Sequence, residues 1–553
     1  MTPSTPRSGP GNGEPEKAAL VGEAPAEARA AGPAHLTRDG LARPHRFRIA
    51  ARGIGARAAH FRLLATSDLH VHIHPYDYCA DREVAGIGLA RLATLIAAAR
   101  SGAPGALLLD NGDHLQGNPM GDFVATRGED GLVHPMIAAM NVLGYDVGTL
   151  GNHEFNYGVP FLERALADAA FPVVSANIAR ALASDPRDDC LLRPPYALLE
   201  REVEDGTGAR RPIRIGVIGV LPPQVIHWDA RHLGRDFAAR DMVDAVAAWV
   251  PEMRAAGAEI IVVLCHSGIE AVPRSPGMEN AALHVAAIEG VDAIVAGHQH
   301  RVFPGPDFAD HPGVDRLNGR LMGRPAVMPG FWGSHLGVID LLLEEHDGGW
   351  RVAENEAGLA PVADDGGKPI DAAPALMAAV ARDHDGTLSH IRRPVGRIDA
   401  PLHSFFALLG VGPSVDLVNE AQTAFVRDRL RARPEERLPV LSASAPFKAG
   451  GRAGPEHFTH VPAGAIEIRN LADIYPFPNH LRVLEIDGTT LRAWLERSAA
   501  IFQTLGPGSG DRPLLDPDFA SHNFDVVSGV EYVVDLSRPP LYDVNGVPVP
   551  GRT

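Results

Sequence analysis

Short apolar segments alternate with amphipathic segments between residues 60 and 345. The apolar segments are rich in Leu and β-branched residues, which is typical of buried strands, and each stops at a polar cluster. Segments with helical periodicity lie between them, for example GLARLATLIAAAR at residues 88–100. This alternation predicts an α/β architecture. The predicted strands that end in polar clusters are FRLLATS, GALLLDNG, YDVGTLG, EIIVVLC and VDAIVAG.

Side chains that can bind metal ions follow each of these five strands. They are Asp68, His70, Asp113, Asn152, His153, His266, His298 and His300. A single Asp or His at a strand end is ordinarily a helix cap or a loop residue, so only the joint pattern indicates a site. Because open α/β sheets gather ligands at the carboxyl ends of their strands, we expect these side chains to converge. Asp, Asn and His without Cys are the donors that borderline divalent ions prefer.

The spacing within two of these clusters supports convergence. Asp68 and His70 are two residues apart, and so are His298 and His300. In an extended chain the side-chain period of two places both members of such a pair on the same side. We therefore expect each pair to bind one ion or two adjacent ions.

Length and composition indicate the size of the protein and the kinds of molecule that it binds. The 553 residues are enough for two or more domains with substantial cores. The net charge is −17 and there is no basic stripe, which argues against polymeric nucleic acid as a partner. The three widely spaced cysteines contain no CxxC pair and indicate reduced, mostly buried thiols. Since no segment has the length and apolarity of a membrane span, we expect no membrane partner.

Two breaks in composition divide the chain. Residues 1–58 are rich in Pro, Gly, Ala and Arg without the apolar core of a signal peptide, which predicts a disordered tail or a start codon placed too early. Residues 361–370 form the second break, and an Ala-rich helical pattern follows it from about Asp371 to His390. We predict a first domain at 59–360, a linker with a helix at 361–395 and a second domain at 396–553.

The motifs carry a family resemblance. DLH at 68–70, GD at 112–113, GNHE at 151–154, a single His at 266 and GHQH at 297–300 occur in the order of the calcineurin-like metallophosphoesterases. The longer segments resemble the periplasmic 5′-nucleotidases, and within them the 2′,3′-cyclic-nucleotide 2′-phosphodiesterase/3′-nucleotidases; they are DNGDHLQGNP, TLGNHEFNYG, VVLCHSG, AGHQHRVFPG and PAVMPGFWGSHLGVIDL. The resemblance runs from about residue 61 to the end. It implies a β-sandwich flanked by helices, followed by a smaller α+β 5′-nucleotidase carboxyl-terminal domain.

The resemblance also implies a reaction. It is the metal-dependent hydrolysis of 2′,3′-cyclic nucleotides to 3′-nucleotides, and of 3′-nucleotides to nucleoside and phosphate. Two divalent ions (Mn, Zn, Co or Fe) about 3.5 to 4 Å apart would supply a nucleophile at neutral pH and positive charge facing the phosphate. Asp113 would bridge the ions. The remaining ligands would be Asp68, His70 and His300 for the first ion, and Asn152, His266 and His298 for the second.

His153 has a different implied role. By the resemblance it is not a ligand but faces the ester, where it stabilises developing charge and protonates the leaving oxygen. Related 5′-nucleotidases often carry Asp where this chain has Asn156, so Asn156 would orient the ring without stabilising its charge. His72 and His74 continue the alternation DLHVHIH, but the ligand set is complete without them. We expect them to lie around the ligands or in solvent.

The second domain is expected to choose the substrate. SASAPFKAGGR at 442–452 and YPFPN at 475–479 resemble segments that hold the nucleotide base. The resemblance makes Phe477 the base-stacking ring, with about 1 to 3 kcal/mol per stacked base, and adds Asn479, Lys448 and Arg452 as substrate contacts. Without the resemblance, Phe477 would be a core aromatic between two prolines. Related proteins continue past NFDVVSGVEY with a Gly-rich loop that carries a second stacking aromatic, so half of the base site is expected to be absent from this sequence.

Two alternatives remain from the sequence. One is another hydrolase on the same scaffold with the same ligands, such as a 5′-nucleotidase, a UDP-sugar hydrolase or a thiosulfohydrolase. The other is a non-catalytic nucleotide-binding remnant, against which the complete ligand set argues. We expect a monomer that binds small-molecule nucleotides. The resemblance implies the periplasm, whereas the start as given implies the cytoplasm because no signal peptide is visible.

Overall fold

The computed structural model describes residue 55 and residues 57–552, apart from 104, 129–130, 310, 365, 411, 451–456, 477–478, 507, 509, 517–518 and 545. The α-helices are α1 Leu89–Ser101, α2 Pro119–Thr126, α3 Pro135–Leu143, α4 Val159–Ala167, α5 Val225–Trp228, α6 Ala230–Leu233, α7 Met242–Ala255, α8 Ala282–Ala286, α9 Pro374–Ala379, α10 Ala381–Ile391, α11 Pro413–Leu430, α12 Ile468–Ile474 and α13 Gly488–Ser498. One-turn 3₁₀ helices include His153–Phe155, which lies at the site described below.

The strands follow the same order along the chain. They are β1 Ala58–Thr66, β2 Tyr76–Asp77, β3 Arg82–Glu83, β4 Leu107–Asp110, β5 Val147–Thr149, β6 Val173–Val174, β7 Ile178–Ala179, β8 Tyr196–Glu204, β9 Arg210–Val220, β10 Ala238–Ala239, β11 Ile260–Cys265, β12 Ala293–Ala296, β13 Val302–Phe303, β14 Val314–Asp315, β15 Arg320–Leu321, β16 Arg324–Pro329, β17 His335–His346, β18 Gly349–Pro361, β19 Pro394–Ile398, β20 Leu402–His403, β21 Ser442–Ser444, β22 His460–Val461, β23 Gly464–Glu467 and β24 Val526–Ser528.

Two mixed sheets form the first domain. The first sheet has six strands in the order β18-β17-β1-β4-β5-β6. Its strands β1, β4, β5 and β6 are parallel to one another. The second has eight strands in the order β14-β15-β16-β12-β11-β9-β8, with β13 paired to β16. Its central strands β9, β11, β12 and β16 are parallel. All five strands predicted to end in polar clusters are present, three in the first sheet and two in the second.

The two sheets pack face to face as a sandwich. Successive side chains of a strand point to opposite faces, so Leu63 and Ala65 of β1 lie in the core between the sheets while Leu64 faces the helices. Strand β11 shows the same division, with Val262 between the sheets and Val263 on the outer face. These strands are apolar on both faces because helices cover the outside of each sheet. The predicted sandwich flanked by helices is confirmed.

Helices complete the outer layers. Helices α1, α3 and α4 cover the first sheet, and α7 and α8 cover the second. Helix α1 matches the predicted segment and buries Leu89, Leu92 and Ile96 at helical spacing. It follows Gly88, whose φ of 111° and close approach to Pro75 leave no room for a side chain, since a Cβ there would lie 2.8 Å from Pro75 N.

The Ala-rich pattern after the second composition break forms α9 and α10. Leu376 of α9, Ile391 of α10 and Val380 between the two helices join the core that covers the first sheet, so this segment packs on the first domain. The ring of His384 in α10 stacks on His74 with 4.1 Å between centroids. The boundaries at 360 and 395 remain predictions.

The second domain is smaller and mixes helices with short two-stranded ladders. These ladders pair β19 with β23, β20 with β22 and β21 with β24. Helix α11 packs against β21 and β24, and its Asn419 donates a hydrogen bond to the Val526 carbonyl at 3.1 Å. The core here is small and includes Val415, Ile501 and Phe524.

Two further expectations concern the whole chain. Each helix in the part of the chain that the structure describes is too short or too polar to cross a bilayer. The three cysteines are free thiols, as expected, but only Cys265 is buried. The expectation of mostly buried thiols is wrong at Cys190, which is exposed in the segment between β7 and β8.

Candidate metal centre

The predicted ligands meet at one edge of the sandwich. The loops after β1, β4 and β5 bring Asp68, His70, Asp113 and Asn152, and those after β11 and β12 bring His266, His298 and His300. Six of the seven side chains are buried, and His300 is half-buried. The loops approach so closely that a Cβ at Gly151 would lie 2.2 Å from Asp113 Oδ1. Glycine at this position is therefore a steric requirement of the site.

The backbone at the ligands is left-handed, which corrects the expectation of extended Asp-x-His and His-x-His segments. Asp68, His70, Asp113, His298 and His300 all have positive φ, between 45° and 70°. Strands β1 and β12 end at Thr66 and Ala296, before the ligands begin. Left-handed backbone is costly for non-glycine residues and is typical of sites that a surrounding structure holds in place. Tight turns, rather than strand periodicity, aim these side chains.

The first cluster contains Asp68, His70 and His300. His70 Nε2 lies 3.0 Å from His300 Nε2, which in turn lies 3.4 Å from Asp68 Oδ1. One donor atom from each residue falls within 4.8 Å of the others. The sequence assigned the same three residues to one ion.

The second cluster contains Asp113, His266 and His298, with Asn152 beside them. Asp113 Oδ2 lies 3.0 Å from His266 Nε2 and 4.0 Å from His70 Nε2, so this carboxylate stands between the two clusters. Asn152 Oδ1 lies 3.1 Å from His298 Nδ1. Asp113 Oδ2 and His266 Nε2 are buried, and despite their short separation neither makes a hydrogen bond of good geometry, even to the other, which is costly unless a cation satisfies them.

Each buried histidine ring is oriented through its other nitrogen. His70 Nδ1 faces the Gln116 carbonyl at 2.8 Å, and His266 Nδ1 faces the Asn111 carbonyl at 2.7 Å. His298 Nε2 faces the Glu279 carboxylate at 2.8 Å. Each of these acceptors takes the ring proton, which leaves a lone pair on the nitrogen turned into the site. The donor set therefore fits divalent metal ions.

The negative charges of the buried carboxylates also favour the binding of cations at this site. Burial lowers the pKa of His266, but the nearby carboxylates Asp113 and Asp68 raise it more strongly, to about 9. Burial raises the pKa of Asp113, and the neighbouring His266 and His153 bring it well below its usual range. In the metal-free site, the carboxylates of Asp113 and Asp68 thus stabilise the charged form of the His266 ring. A divalent cation would take the place of the proton on His266.

Glu154 ties two of the ligand loops together. Its Oε2 accepts from the backbone N–H of Asp113 at 2.7 Å and of Gly151 at 2.6 Å. Its Oε1 accepts from the N–H of His114 at 2.7 Å and of Leu115 at 3.0 Å. This buried carboxylate therefore fixes the loop after β4 to the loop after β5. No role of Glu154 was predicted from the sequence, although its place in GNHE was a signal.

His153 lies beside the ligands, on the side toward solvent. Its ring is edge-on to His70 with 4.9 Å between centroids, and its backbone N–H donates to Asp113 Oδ1 at 2.8 Å. His153 Nδ1 lies 2.6 Å from Asn156 Oδ1 and 2.7 Å from Gln116 Oε1. Because an amide oxygen only accepts hydrogen bonds, the ring N–H of His153 donates to Asn156. His153 also forms a potential ligand group with His70 and Asp113, so geometry alone does not separate it from the ligands.

The other histidines of the sequence pattern are buried side chains around the site. His72 stacks on Trp332 with 4.4 Å between centroids, and His74 stacks on His384. Neither is in a potential ligand group among the described residues. His72 and His74 were expected either around the ligands or in solvent. The second expectation is wrong, because both side chains are buried under aromatic rings.

The predicted substrate contacts of the second domain are only partly described. Phe477 and Arg452 lie outside the described residues. Lys448 is half-buried and its ammonium group pairs with Asp473, while Asn479 is exposed and donates to the Tyr475 hydroxyl at 3.3 Å. All four remain predictions.

The sequence of the chain is similar to known families and enzymes. Residues 61–302 match the family of calcineurin-like phosphoesterases, and residues 394–550 match the 5′-nucleotidase, C-terminal domain. The chain is 42% identical over 502 residues to the 2′,3′-cyclic-nucleotide 2′-phosphodiesterase/3′-nucleotidase of Salmonella typhimurium, a match that covers 90% of this chain and 77% of that enzyme. The chain belongs to the calcineurin-like phosphoesterases that carry a 5′-nucleotidase carboxyl-terminal domain.

Other members of this family match the chain over different shares of their own length. The trifunctional nucleotide phosphoesterase protein YfkN of Bacillus subtilis is 40% identical over 501 residues, which are 89% of this chain and 33% of that protein. The chain thus spans about a third of its length. A crystal structure of the calcineurin-like phosphoesterase YfkN superposes with a TM-score of 0.58 at 38% identity, over 61% of this chain and all of that one. The predicted family is confirmed.

Proposed function

We propose that the chain hydrolyses 2′,3′-cyclic nucleotides to 3′-nucleotides, and 3′-nucleotides to nucleoside and phosphate, at the edge where the seven ligands meet. The position of Asp113 carries the proposal, because its carboxylate stands between a cluster of Asp and His on one side and a cluster of Asn and His on the other. Such a bridging carboxylate is what a two-metal phosphoesterase requires. The substrate follows from the similarity to the Salmonella enzyme, whose name gives both activities.

Two divalent ions would be held by the seven residues that the family resemblance implies as ligands. Asp68, His70 and His300 would bind one, Asn152, His266 and His298 the other, and Asp113 both. Bound ions supply a nucleophile at neutral pH and neutralise the phosphate oxygens. Sites built from His, Asp and Asn accept Mn, Zn, Co or Fe according to supply. The identity and number of the ions are part of the proposal.

His153 would give a proton to the leaving oxygen. Its Nδ1 faces two side-chain oxygens, which leaves Nε2 as the nitrogen for the ester. Proton transfer by a positioned imidazole typically contributes 10² to 10⁴ in rate. The ribose oxygen of a 3′-nucleotide is a poor leaving group, so this substrate needs the proton more than an aryl phosphate does.

The substrate profile of the purified chain tests the proposal. With Mn²⁺ present, turnover of 2′,3′-cyclic AMP and 3′-AMP should exceed turnover of 5′-AMP and of a UDP-sugar. The reverse order would identify a 5′-nucleotidase, which 26% identity to the bovine 5′-nucleotidase also allows. Binding of nucleotides without turnover of any ester would identify a non-catalytic protein. A Phe477→Ala variant should raise KM for nucleotides and spare a small aryl phosphate if Phe477 stacks on the base.

The compartment and the oligomeric state are further proposals. We expect the periplasm, on the family resemblance alone, and a monomer. Fractionation of cells that express the complete gene, followed by size-exclusion chromatography with light scattering, tests both.

A further inference from the structure

Asn156 stands between His153 and a second acidic residue, Asp229. Asn156 Oδ1 faces His153 Nδ1 at 2.6 Å, and Asn156 Nδ2 donates to the two oxygens of Asp229 at 3.2 and 3.1 Å. Asp229 is buried and lies 73 residues further along the chain. We propose that Asp229 is a positioning residue for His153 and acts through the amide of Asn156. The inference rests on the proposed function, since it concerns the proton that His153 would give to the ester.

The direction of the Asn156 amide follows from Asp229. The oxygen and nitrogen of an amide have nearly the same shape, so the surroundings decide which one faces the ring. A carboxylate only accepts hydrogen bonds, so the NH₂ group must face Asp229 and the oxygen must face His153. Since Nδ1 faces the oxygen of Asn156 at 2.6 Å and that of Gln116 at 2.7 Å, Nδ1 must carry the proton, and Asp229 fixes the direction of the nearer of these two amides. His153 Nε2 is then the nitrogen that exchanges a proton with the substrate.

The conformation of Asp229 argues against an ordinary capping role. Asp229 is the residue before α6, a position where Asp side chains usually accept from the first backbone N–H groups of the helix. Here the side chain makes no such capping bond. Its backbone carbonyl accepts from His232 at 2.8 Å and Leu233 at 2.9 Å, while the carboxylate turns to Asn156. The preceding residue, Trp228, stacks on His298 with 5.6 Å between centroids, so this corner of the chain contacts both the metal ligands and the His153 relay.

Asp229 thus supplies the charge that Asn156 lacks. The amide of Asn156 lies next to the His153 ring, and the carboxylate of Asp229 lies one hydrogen bond further away. Hydrogen-bond partners of this outer kind typically contribute 10- to 100-fold to activity or affinity.

A swap of the two side chains tests the inference. The Asp229→Asn variant should lower kcat for 3′-AMP at least 10-fold with little change in KM or metal content, and should lower kcat for an aryl phosphate less. The Asn156→Asp variant should also be slow, because it places two carboxylates side by side. The double variant Asn156→Asp/Asp229→Asn restores one amide and one carboxylate, and should return kcat to within about threefold of the wild type. Asp236→Asn, which removes an exposed acid from the same segment, is the matched control.

A spectroscopic measurement shows whether Asp229 positions the proton of His153 or only stabilises the fold around it. In zinc-loaded, ¹⁵N-histidine-labelled protein, the nitrogen shifts of His153, assigned by comparison with His153→Ala, should show a protonated Nδ1 in the wild type and the double variant. They should show a mixture of tautomers in Asp229→Asn. An unchanged tautomer in Asp229→Asn, wild-type kcat in that variant, or a double variant as slow as the singles would overturn the inference. Failure of the proposed function is distinct, because the wild-type protein itself would then hydrolyse no ester, or would turn over 5′-AMP or a UDP-sugar faster than 3′-AMP.

Discussion

Replacing Glu154 by Gln should loosen the metal centre without removing a ligand. Glu154 is buried and each of its oxygens accepts two backbone N–H groups. A glutamine keeps the shape but turns one of these oxygens into an NH₂ group that faces two donors. Two buried N–H groups then lose their acceptor, at about 1 to 3 kcal/mol each. We expect the metal-free variant to unfold with a free energy about 2 to 6 kcal/mol smaller than that of the wild type.

The same change should weaken metal binding, because the two tethered loops carry Asp113 and Asn152. Loss of a residue that orients ligands typically costs 10- to 100-fold in metal affinity. Urea unfolding of the metal-free proteins measures the first effect, and equilibrium dialysis against Zn²⁺ or Mn²⁺ measures the second. Glu289→Gln, at an exposed acid on the loop after α8, is the matched control for loss of a charge. Equal unfolding midpoints and equal metal affinities in Glu154→Gln and the wild type would refute this account of how the loops are held.

Other variants test the roles of single groups. Asp113→Ala should lose metal-dependent hydrolysis and bind fewer than two ions per chain by elemental analysis, because the bridge is gone; two tightly bound ions would contradict it. His153→Ala should keep its metal and slow 3′-AMP hydrolysis by about 10² to 10⁴, with a smaller effect on an aryl phosphate; equal losses on both esters would count against proton transfer. His134 is buried and caps α3 by accepting from Met136 N–H at 3.2 Å, and burial followed by the charges of His114 and Arg127 lowers its pKa to about 3. Since the unfolded chain takes up this proton near pH 6.5 and the folded one does not, stability is lost as the pH falls below 6.5, by about 2 kcal/mol at pH 5. His134→Asn keeps a capping side chain that does not titrate. Between pH 7.5 and 5, its free energy of unfolding, measured in urea, should therefore fall by about 2 kcal/mol less than that of the wild type. An equal fall in both proteins would contradict the role of His134.

The strands could be predicted because an apolar run is a local property, and the convergence of polar residues because parallel strands share an edge. Strands such as β4 and β11 are short, continuous apolar runs bounded by polar residues, and α1 buries positions at helical spacing. Parallel strands of one sheet end at one edge, so polar residues after several strands had to lie near each other. That three strands belong to one sheet and two to the other was not visible, because strand order depends on contacts distant in sequence.

The fine geometry of the site could not be predicted from residue spacing. The extended spacing assumed for Asp68 and His70 fails because the chain leaves the strand at Thr66 and turns through left-handed backbone. Residue type does not reveal such turns, since the surrounding hydrogen bonds impose them on residues other than glycine. Glu279 and Asp229 were missed because each contacts its partner across a long stretch of chain, Asp229 across 73 residues.

The central claim is that the seven converging residues form a metal-dependent phosphoesterase centre. The most direct measurement is the rate of 2′,3′-cyclic AMP hydrolysis by the purified chain, first after complete chelation and then after Mn²⁺ is restored. We predict no turnover after chelation and full recovery with Mn²⁺, with about two ions bound per chain. Turnover that survives chelation, or a chain that binds two ions and hydrolyses neither the cyclic nucleotide nor any other phosphate ester, would contradict the claim.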